Sequence, residues 1–327
     1  MPQALQDNPD DTQLLVPDLA LPFPERRSPH WAAAERAVLR WARTTGLAAT
    51  AREADQMAAH AWGLCAAVAT PRASRARLSR MGCWLAWMGV LDDTAESERS
   101  RASFAEAVKG IRAVLAGRPP LGRHPLTAAF TDLHQRTRTL GSPAWRTRHT
   151  ETVAQLLDGL VEEQHVKCQG LPGVAQYVEQ RRITGYMPLL YNLTEVVLRC
   201  EIPSAIRQTD SFTRLVTASI DAADFINDVH TLRKELAHGE TGNLVIVLAH
   251  ERGITLERAL HEAALRIRKA VEDFQIAEQD LHCALQARPL PVLPMGAWQA
   301  TLTMVDSMHD WIAGLPAYYR ASGRYRR

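Results

Sequence analysis

A long helical pattern over residues 255–285 constrains the fold of this chain most strongly. Apolar side chains recur three or four positions apart behind Thr255, which can cap the first turn. The apolar positions are Leu256, Leu260, Ala264, Ile267, Val271 and Phe274. No alternating strand pattern competes with this period, so the sequence predicts an all-α fold.

A further helical pattern begins near residue 28. Ser28 can cap this helix and Pro29 suits its first turn. Apolar residues then recur at helical spacing, namely Trp31, Ala34, Val38 and Ala42. Residues 1–27 are rich in Pro and Asp and have no helical period, so we expect an extended arm that is disordered at its start.

Three segments contain residues that cannot continue a helix and therefore predict connections. They are residues 117–125 (GRPPLGRHP), 170–173 (GLPG) and 289–294 (PLPVLP). None is long enough to look like a domain linker, and no internal repeat is present. We therefore expect residues 28–327 to form one α-helical domain, a bundle of about ten helices.

Composition limits the partners of the chain. With 38 basic and 36 acidic residues the formal net charge is only +2, so no global field would attract nucleic acid or an anionic membrane. Five cysteines without a CxxC pair argue against a disulfide framework and fit a reducing cytoplasm. The first residues lack the basic start and apolar run of a signal peptide.

The apolar stretch from Met81 to Leu91 has no charged residue. Its 11 residues are about half the roughly 20 that a membrane span requires. We therefore expect a helix buried in protein, ending at Asp92 and Asp93.

The first acidic cluster consists of Asp92, Asp93 and Glu96. Asp92 and Glu96 are four positions apart and share a helix face. Carboxylates grouped in this way suit magnesium, a hard cation that prefers oxygen ligands. The alternative is a solvated helix end.

The second cluster lies in the segment NDVHTLRKE, which begins at Asn227. Asn227, Thr231 and Glu235 step by four, so one helix face presents an amide oxygen, a hydroxyl and a carboxylate within reach of one ion. The alternative is a polar helix surface with incidental spacing. Neither G-x-S-x-G, HExxH, a P-loop nor G-x-G-x-x-G occurs.

These two segments resemble the aspartate-rich motif and the Asn/Ser/Glu-type motif of bacterial class I terpene synthases. Three further segments also resemble these enzymes: LPFPERRSPH with WARTTGL, KELAHGETGN, and WIAGLPAYYRASGRYRR. The resemblance covers nearly the whole chain. It implies a single-domain helical bundle around a central active-site cavity, and a carbon-oxygen lyase that acts on an isoprenyl diphosphate.

The resemblance also implies the metal ligands. In the family, both motifs together hold three Mg²⁺ ions on the substrate diphosphate. Carried over by position, the ligands are Asp92, Asn227, Thr231 and Glu235, with Asp93 and Glu96 tuning or supplementing them.

The family also uses an arginine about 46 positions before the second motif as a diphosphate sensor, with a linker residue and a small effector residue after it. Arg181, Thr184 and Gly185 stand at these catalytic positions, although an aspartate is more usual at the linker. Arg182 is the alternative sensor.

Three more residues are expected at the diphosphate by the same resemblance. Lys234 could reach it, and Arg324 and Tyr325 match the C-terminal Arg-Tyr pair that closes over it. A basic tail without such a role is the alternative.

The implied reaction is expulsion of diphosphate, followed by steering of a carbocation inside a sealed apolar cavity. Aromatic faces stabilise such cations, and the candidates are Trp84, Trp87, Tyr186, Tyr191, Phe225 and Trp298, unless they belong to the core. A farnesyl C15 substrate is favoured over a geranylgeranyl or copalyl-type C20 substrate. A trans-prenyltransferase, a non-catalytic helical scaffold and a homodimer stay open.

Overall fold

The computed structural model describes residues 14–96, 100–167, 170–287 and 295–325. These residues form fourteen α-helices and one short 3-10 turn, with no β-strand among them, and the all-α prediction is confirmed. The helices are α1 (Trp31–Thr45), α2 (Ala51–His60), α3 (Trp62–Ala69), α4 (Arg75–Glu96), α5 (Arg101–Leu115), α6 (Pro125–Arg138), α7 (Pro143–Lys167), α8 (Val174–Thr184), α9 (Met187–Leu198), α10 (Ser204–Arg207), α11 (Asp210–His238), α12 (Leu244–Arg252), α13 (Leu256–Ala287) and α14 (Ala297–Ala321). The 3-10 turn is Gly323–Tyr325.

The described residues contain more helices than the ten or so expected, because a break of one or two residues does not interrupt the helical spacing of apolar residues in the sequence. Ala61 alone separates α2 from α3, and it adopts a left-handed conformation with φ of 56°. The helix α10 has only four residues. Such elements are too short to show a repeat.

The first helix starts later than the sequence predicted. It begins at Trp31, and Pro29 lies in the turn before it. Ser28 does not cap the helix; its Oγ accepts a hydrogen bond from the His30 N–H at 3.3 Å and so closes that turn. The Ser28 N–H donates to the carbonyl of Ala67 at 3.0 Å, which ties the turn to α3.

The long helix predicted behind Thr255 is present as α13. The Thr255 Oγ1 accepts a hydrogen bond from the Arg258 N–H at 3.3 Å, as expected of a cap. The segment 170–173 lies between consecutive helices, as predicted, and so does 117–125 except for Pro125, which is the first residue of α6. The segment 289–294 falls outside the described residues.

The apolar stretch of α4 is buried, as expected, but the helix does not end at the aspartates. It continues through Asp92 and Asp93 to Glu96, so both carboxylates project from the last turns of an intact helix. Within the described ranges, no helix is both long and apolar enough to cross a bilayer.

The part of the N-terminal arm that the structure describes has no regular secondary structure. Residues 1–13 lie outside the described residues. Leu19 is buried in the core, and Arg26 pairs with the buried carboxylate of Asp310 on α14 at 3.2 Å. The arm from residue 14 therefore packs against the bundle.

Candidate active site

The two acidic segments line one polar pocket. Asp92 and Glu96 reach it from α4, and Asn227, Thr231 and Glu235 reach it from α11. Because residues four apart on a helix point in one direction, each helix turns a row of oxygen atoms toward the other. The fold thus brings together two motifs whose first members, Asp92 and Asn227, are 135 residues apart in the sequence.

On α4, oxygen atoms of Asp92, Asp93 and Glu96 all lie within 4.8 Å of one another. Burial, and next to it the charge of Glu96, raises the pKa of Asp92 to about 7. Asp93 does not line the pocket, because its carboxylate accepts two hydrogen bonds from Arg324 at 2.7 and 2.6 Å. Burial opposes ionisation of Asp93, but these bonds outweigh it and lower its pKa.

On α11, the side chain of Asn227 is fixed from both sides. Its Oδ1 accepts a hydrogen bond from Arg181 at 2.6 Å, and its Nδ2 donates to the hydroxyl of Tyr319 at 2.6 Å. Glu235 is buried and its Oε2 accepts from the amide of Asn243 at 2.7 Å. Burial, and next to it the charge of Asp228, raises the pKa of Glu235 to about 7.

Asp228 belongs to the second acidic segment, but the sequence analysis did not place it among the site residues. It is fully buried, and its Oδ2 accepts hydrogen bonds from the Tyr177 hydroxyl at 2.7 Å and the Leu244 N–H at 3.0 Å. Its Oδ1 accepts from Arg181 at 2.9 Å. Its position beside Asn227 was the only available signal.

The two arginines at the end of α8 point to different places. Arg181 lines the polar pocket, where burial opposes its charge but the carboxylate of Asp228 outweighs this and raises its pKa. Arg182 instead binds Asp221 with two hydrogen bonds of 2.7 Å each. The geometry therefore favours Arg181 over Arg182 as the residue that meets an anion in the pocket.

The other predicted residues divide between two cavities. Thr184, Lys234, Arg324 and Tyr325 line the polar pocket, whereas Gly185 lines an adjacent apolar cavity. Lys234 lies 3.4 Å from Glu96. The sequence also missed pocket residues, namely Glu163 and Gln164 on α7, and Glu240 and Gly242 after α11.

The apolar cavity shares Asp92, Asn227, Arg324 and Tyr325 with the polar pocket, so the two adjoin along these residues. Its walls are mostly apolar and aromatic, and its aromatic rings include Trp62, Tyr186, Trp311, Tyr318 and Tyr319. The polar pocket and the apolar cavity therefore form one continuous site with a charged end and a hydrocarbon end.

Of the six aromatic residues expected in the cavity, only Tyr186 lines it. Trp84 and Trp87 are fully buried in the core, where their indole N–H groups donate to Thr137 Oγ1 and the Leu126 carbonyl at 3.0 Å each.

The remaining three candidates also lie elsewhere. Tyr191 is buried and hydrogen-bonds to Ser219, Phe225 is buried outside the cavity, and Trp298 is 39% exposed on α14. Helical spacing could not separate core from cavity, because both are apolar faces.

Residues 83–273 match the family model described as terpene synthase family 2, C-terminal metal binding. This match covers more than half of the chain. The chain belongs to the bacterial class I terpene synthase family. It is therefore a terpene synthase, and the resemblance read from the motifs is confirmed.

Its relatives match from three quarters to nearly all of the chain. It is 28% identical to pentalenene synthase of Streptomyces avermitilis over 94% of this chain and 92% of that protein. It is 29% identical to a Roseiflexus castenholzii enzyme named (+)-T-muurolol synthase ((2E,6E)-farnesyl diphosphate cyclizing), over 75% of this chain and 76% of that protein. A solved hedycaryol synthase in complex with HEPES has a TM-score of 0.81 at 26% identity, covering 94% of this chain and 99% of that one.

The donor set of this terpene synthase fits a hard divalent cation. The facing groups are carboxylate, amide and hydroxyl oxygens, which magnesium prefers over nitrogen and sulfur. Burial, and after it the neighbouring carboxylates of Glu96 and Asp228, raise the pKa of Asp92 and of Glu235 to about 7. A cation between the helices would stabilise the ionised form of both groups. The family description as metal binding agrees with this chemistry.

Proposed function

We propose that this terpene synthase ionises an isoprenyl diphosphate with Mg²⁺, cyclises or rearranges the resulting carbocation, and releases a terpene and diphosphate. The carrying observation is the continuous site, in which acidic and basic side chains at one end meet aromatic and apolar side chains at the other. A diphosphate head and a hydrocarbon tail have this same division. Farnesyl diphosphate is the favoured substrate, since one relative is named for it, and C20 substrates are the alternative.

Asp92, Asn227, Thr231 and Glu235 would hold the magnesium, with Asp93 and Glu96 as supplements. Three ions are expected from the family resemblance, and together they supply positive charge to the departing diphosphate.

The protein's own cations surround the place where the diphosphate would lie. Arg181, Lys234 and Arg324 line the polar pocket from three different segments, and Tyr325 adds a hydroxyl. Burial opposes the charge of Lys234, but Glu96 outweighs it and raises the lysine pKa, so the ammonium group stays charged. Preorganised donors of this kind stabilise the charge that develops as the carbon–oxygen bond breaks.

The apolar cavity would shield the carbocation from water. Trp62, Tyr186 and Trp311 present aromatic rings to it, and each cation–π contact contributes about 0.5–2 kcal/mol. We propose that Thr184 and Gly185, which follow Arg181 at the end of α8, transmit diphosphate binding to this cavity. Closure of the pocket and the cavity around the substrate would then exclude bulk water.

Incubation with magnesium and one diphosphate at a time tests the proposal. The substrates are geranyl, farnesyl, geranylgeranyl and copalyl diphosphate, and the organic extract is analysed by gas chromatography with mass spectrometry. A terpene from farnesyl diphosphate is expected. If isopentenyl diphosphate is added and a longer isoprenyl diphosphate forms, the protein is instead a chain-elongating prenyltransferase. If the folded protein makes no product from any of these substrates, the proposed enzyme activity is refuted.

A matched pair of variants tests the metal ligands. Glu235→Gln should lower turnover by about 100-fold or more, since a charge that stabilises the transition state is lost. Glu272→Gln removes the same charge from the exposed face of α13 and should leave turnover unchanged. Equal turnover of the two variants would remove Glu235 from the mechanism.

A thermal melt tests binding without turnover. Magnesium and inorganic diphosphate together should raise the Tm more than the sum of their separate effects. A non-catalytic scaffold would show no joint effect.

A further inference from the structure

The end of α8 forms a break in the cavity wall. The helix stops at Thr184, and Gly185 and Tyr186 connect it to α9, which begins at Met187. Tyr186 has a φ of 66°, a left-handed conformation that costs a residue with a side chain about 1–2 kcal/mol. Such a backbone persists only where its surroundings hold it, and both Gly185 and Tyr186 line the apolar cavity.

Asp224 of α11 packs against this break. It is only 3% exposed, and it lines the apolar cavity with the break. A Cβ added to Gly185 would overlap both carboxylate oxygens of Asp224, so the carboxyl group occupies the space of a side chain at position 185. Asp224 is therefore the reason why residue 185 must be glycine.

One carboxyl oxygen of Asp224 lacks a hydrogen-bond partner. Its Oδ2 is buried and has no hydrogen-bond partner within the described part of the protein. Buried polar atoms without partners are rare and mark sites of function or strain. Thr184, between Arg181 and Gly185, directs its hydroxyl to the Gln180 carbonyl of its own helix at 3.3 Å.

The charges around Asp224 connect it to the polar pocket. Asp224 lies four residues before Asp228 and so on the same face of α11, and Asp228 accepts a hydrogen bond from Arg181 at 2.9 Å. Arg181 attracts the Asp224 carboxyl group, and Asp228 and Asp221 repel it. Burial is the largest influence and raises the pKa of Asp224 well above its usual range. Arg181 is four residues before Gly185, so one carboxyl group interacts with both the pocket arginine and the break in the cavity wall.

We propose that Asp224 is a positioning residue that couples Arg181 to the Gly185–Tyr186 break and thereby sets the shape of the cavity around the carbocation. This inference rests on the proposed function. An anion that takes the hydrogen bonds of Arg181 would draw its guanidinium group away from Asp228 and from the neighbouring Asp224. The Asp224 carboxyl group would then shift against Gly185. The backbone of Gly185 and Tyr186 would move with it and carry the Tyr186 ring to a new position in the cavity.

Variants of Asp224 test the coupling through the amount of cyclised product formed for each diphosphate released. With farnesyl diphosphate, diphosphate release and cyclised product are measured separately. Asp224→Ala should release diphosphate with a KM near that of the parent while cyclised product per diphosphate falls by about 10- to 100-fold, because small misplacements carry large rate effects. Asp224→Asn, which keeps the shape, should recover part of this loss.

Asp210→Asn is the matched control. It removes a carboxylate from the exposed first turn of α11 that pairs with Arg214, and it should keep the parent ratio of cyclised product to diphosphate. An unchanged ratio in both Asp224 variants would overturn the proposal, as would the same altered ratio in Asp210→Asn.

A stability measurement tests the contact even if the parent makes no terpene. Gly185→Ala should be unfolded or strongly destabilised because the new methyl group overlaps Asp224. Adding Asp224→Ala should restore stability to Gly185→Ala. A double variant no more stable than Gly185→Ala would refute the contact, whereas an inactive parent with a stable double variant would refute only the proposed function.

Discussion

Replacement of Arg181 by glutamine should destabilise the protein as well as inactivate it. The guanidinium group donates at 2.9 Å to Asp228, which is fully buried. Removing one member of a buried ion pair costs about 3–5 kcal/mol because the other charge is left uncompensated. Asp228 keeps hydrogen bonds from Tyr177 and Leu244, so we expect the lower end, about 3 kcal/mol.

A second substitution separates stability from function. In Arg181→Gln with Asp228→Asn, the amide oxygen can keep both bonds to Oδ2, while the amide nitrogen faces the new glutamine. Most of the lost stability should return in urea unfolding followed by circular dichroism, whereas turnover should stay low. Arg182→Gln, which breaks a partly exposed pair, should cost at most about 1 kcal/mol. A stable Arg181→Gln protein, or a double variant weaker than the single one, would refute this reasoning.

Three further predictions concern stability and the site. Burial lowers the pKa of His134 from 6.5 to about 4. As the pH drops from about 6.5 toward 4, the unfolded chain takes up this proton before the folded protein does, so the free energy of unfolding falls. In urea unfolding between pH 7 and pH 5, the free energy of unfolding should fall by about 2 kcal/mol less in His134→Phe than in the parent, and equal decreases would contradict this. Tyr319→Phe removes the acceptor of the Asn227 amide, a bond of about 0.5–1.5 kcal/mol, and should raise the magnesium concentration for half-maximal turnover by about 2- to 10-fold; an unchanged titration would exclude the role. The methyl group of Gly89→Ala would overlap the Trp62 ring in the cavity wall. The substitution should therefore lower the free energy of unfolding by about 1–3 kcal/mol and change the product mixture. Unchanged stability and products would show that Trp62 can move aside without cost.

The oxygen-rich helix faces could be predicted because a helix converts sequence spacing directly into direction. Asn227, Thr231 and Glu235 step by four, and the structure places all three on one pocket wall. Spacing says nothing about which helix stands opposite. For this reason Trp84 and Trp87, on the same helix as Asp92, were expected in the cavity although they pack in the core.

Asp224 shows the same limit more sharply. In the sequence it is one acid among 36, three residues before Asn227. Its meaning depends on Gly185, which is 39 residues away and comes into contact only when α8 and α11 pack together. A glycine and an aspartate carry no joint signal in a single chain, because the contact is a matter of shape and not of period.

The pairing of charges in the site explains why magnesium and diphosphate should bind jointly. Arg324 is bonded to Asp93, Lys234 lies 3.4 Å from Glu96, and Arg181 pairs with Asp228. A diphosphate that binds alone must break these ion pairs to reach the arginine and lysine side chains. Magnesium that binds alone must compete with the same side chains for the carboxylates. If both were bound, Asp93 and Glu96 would face the metal while Arg324 and Lys234 would face the anion, and Asp228 would keep its hydrogen bonds from Tyr177 and Leu244. No charge in the pocket would then be buried without a partner. A chain with a net charge of only +2 can therefore bind a highly charged substrate by exchanging ion pairs inside one pocket.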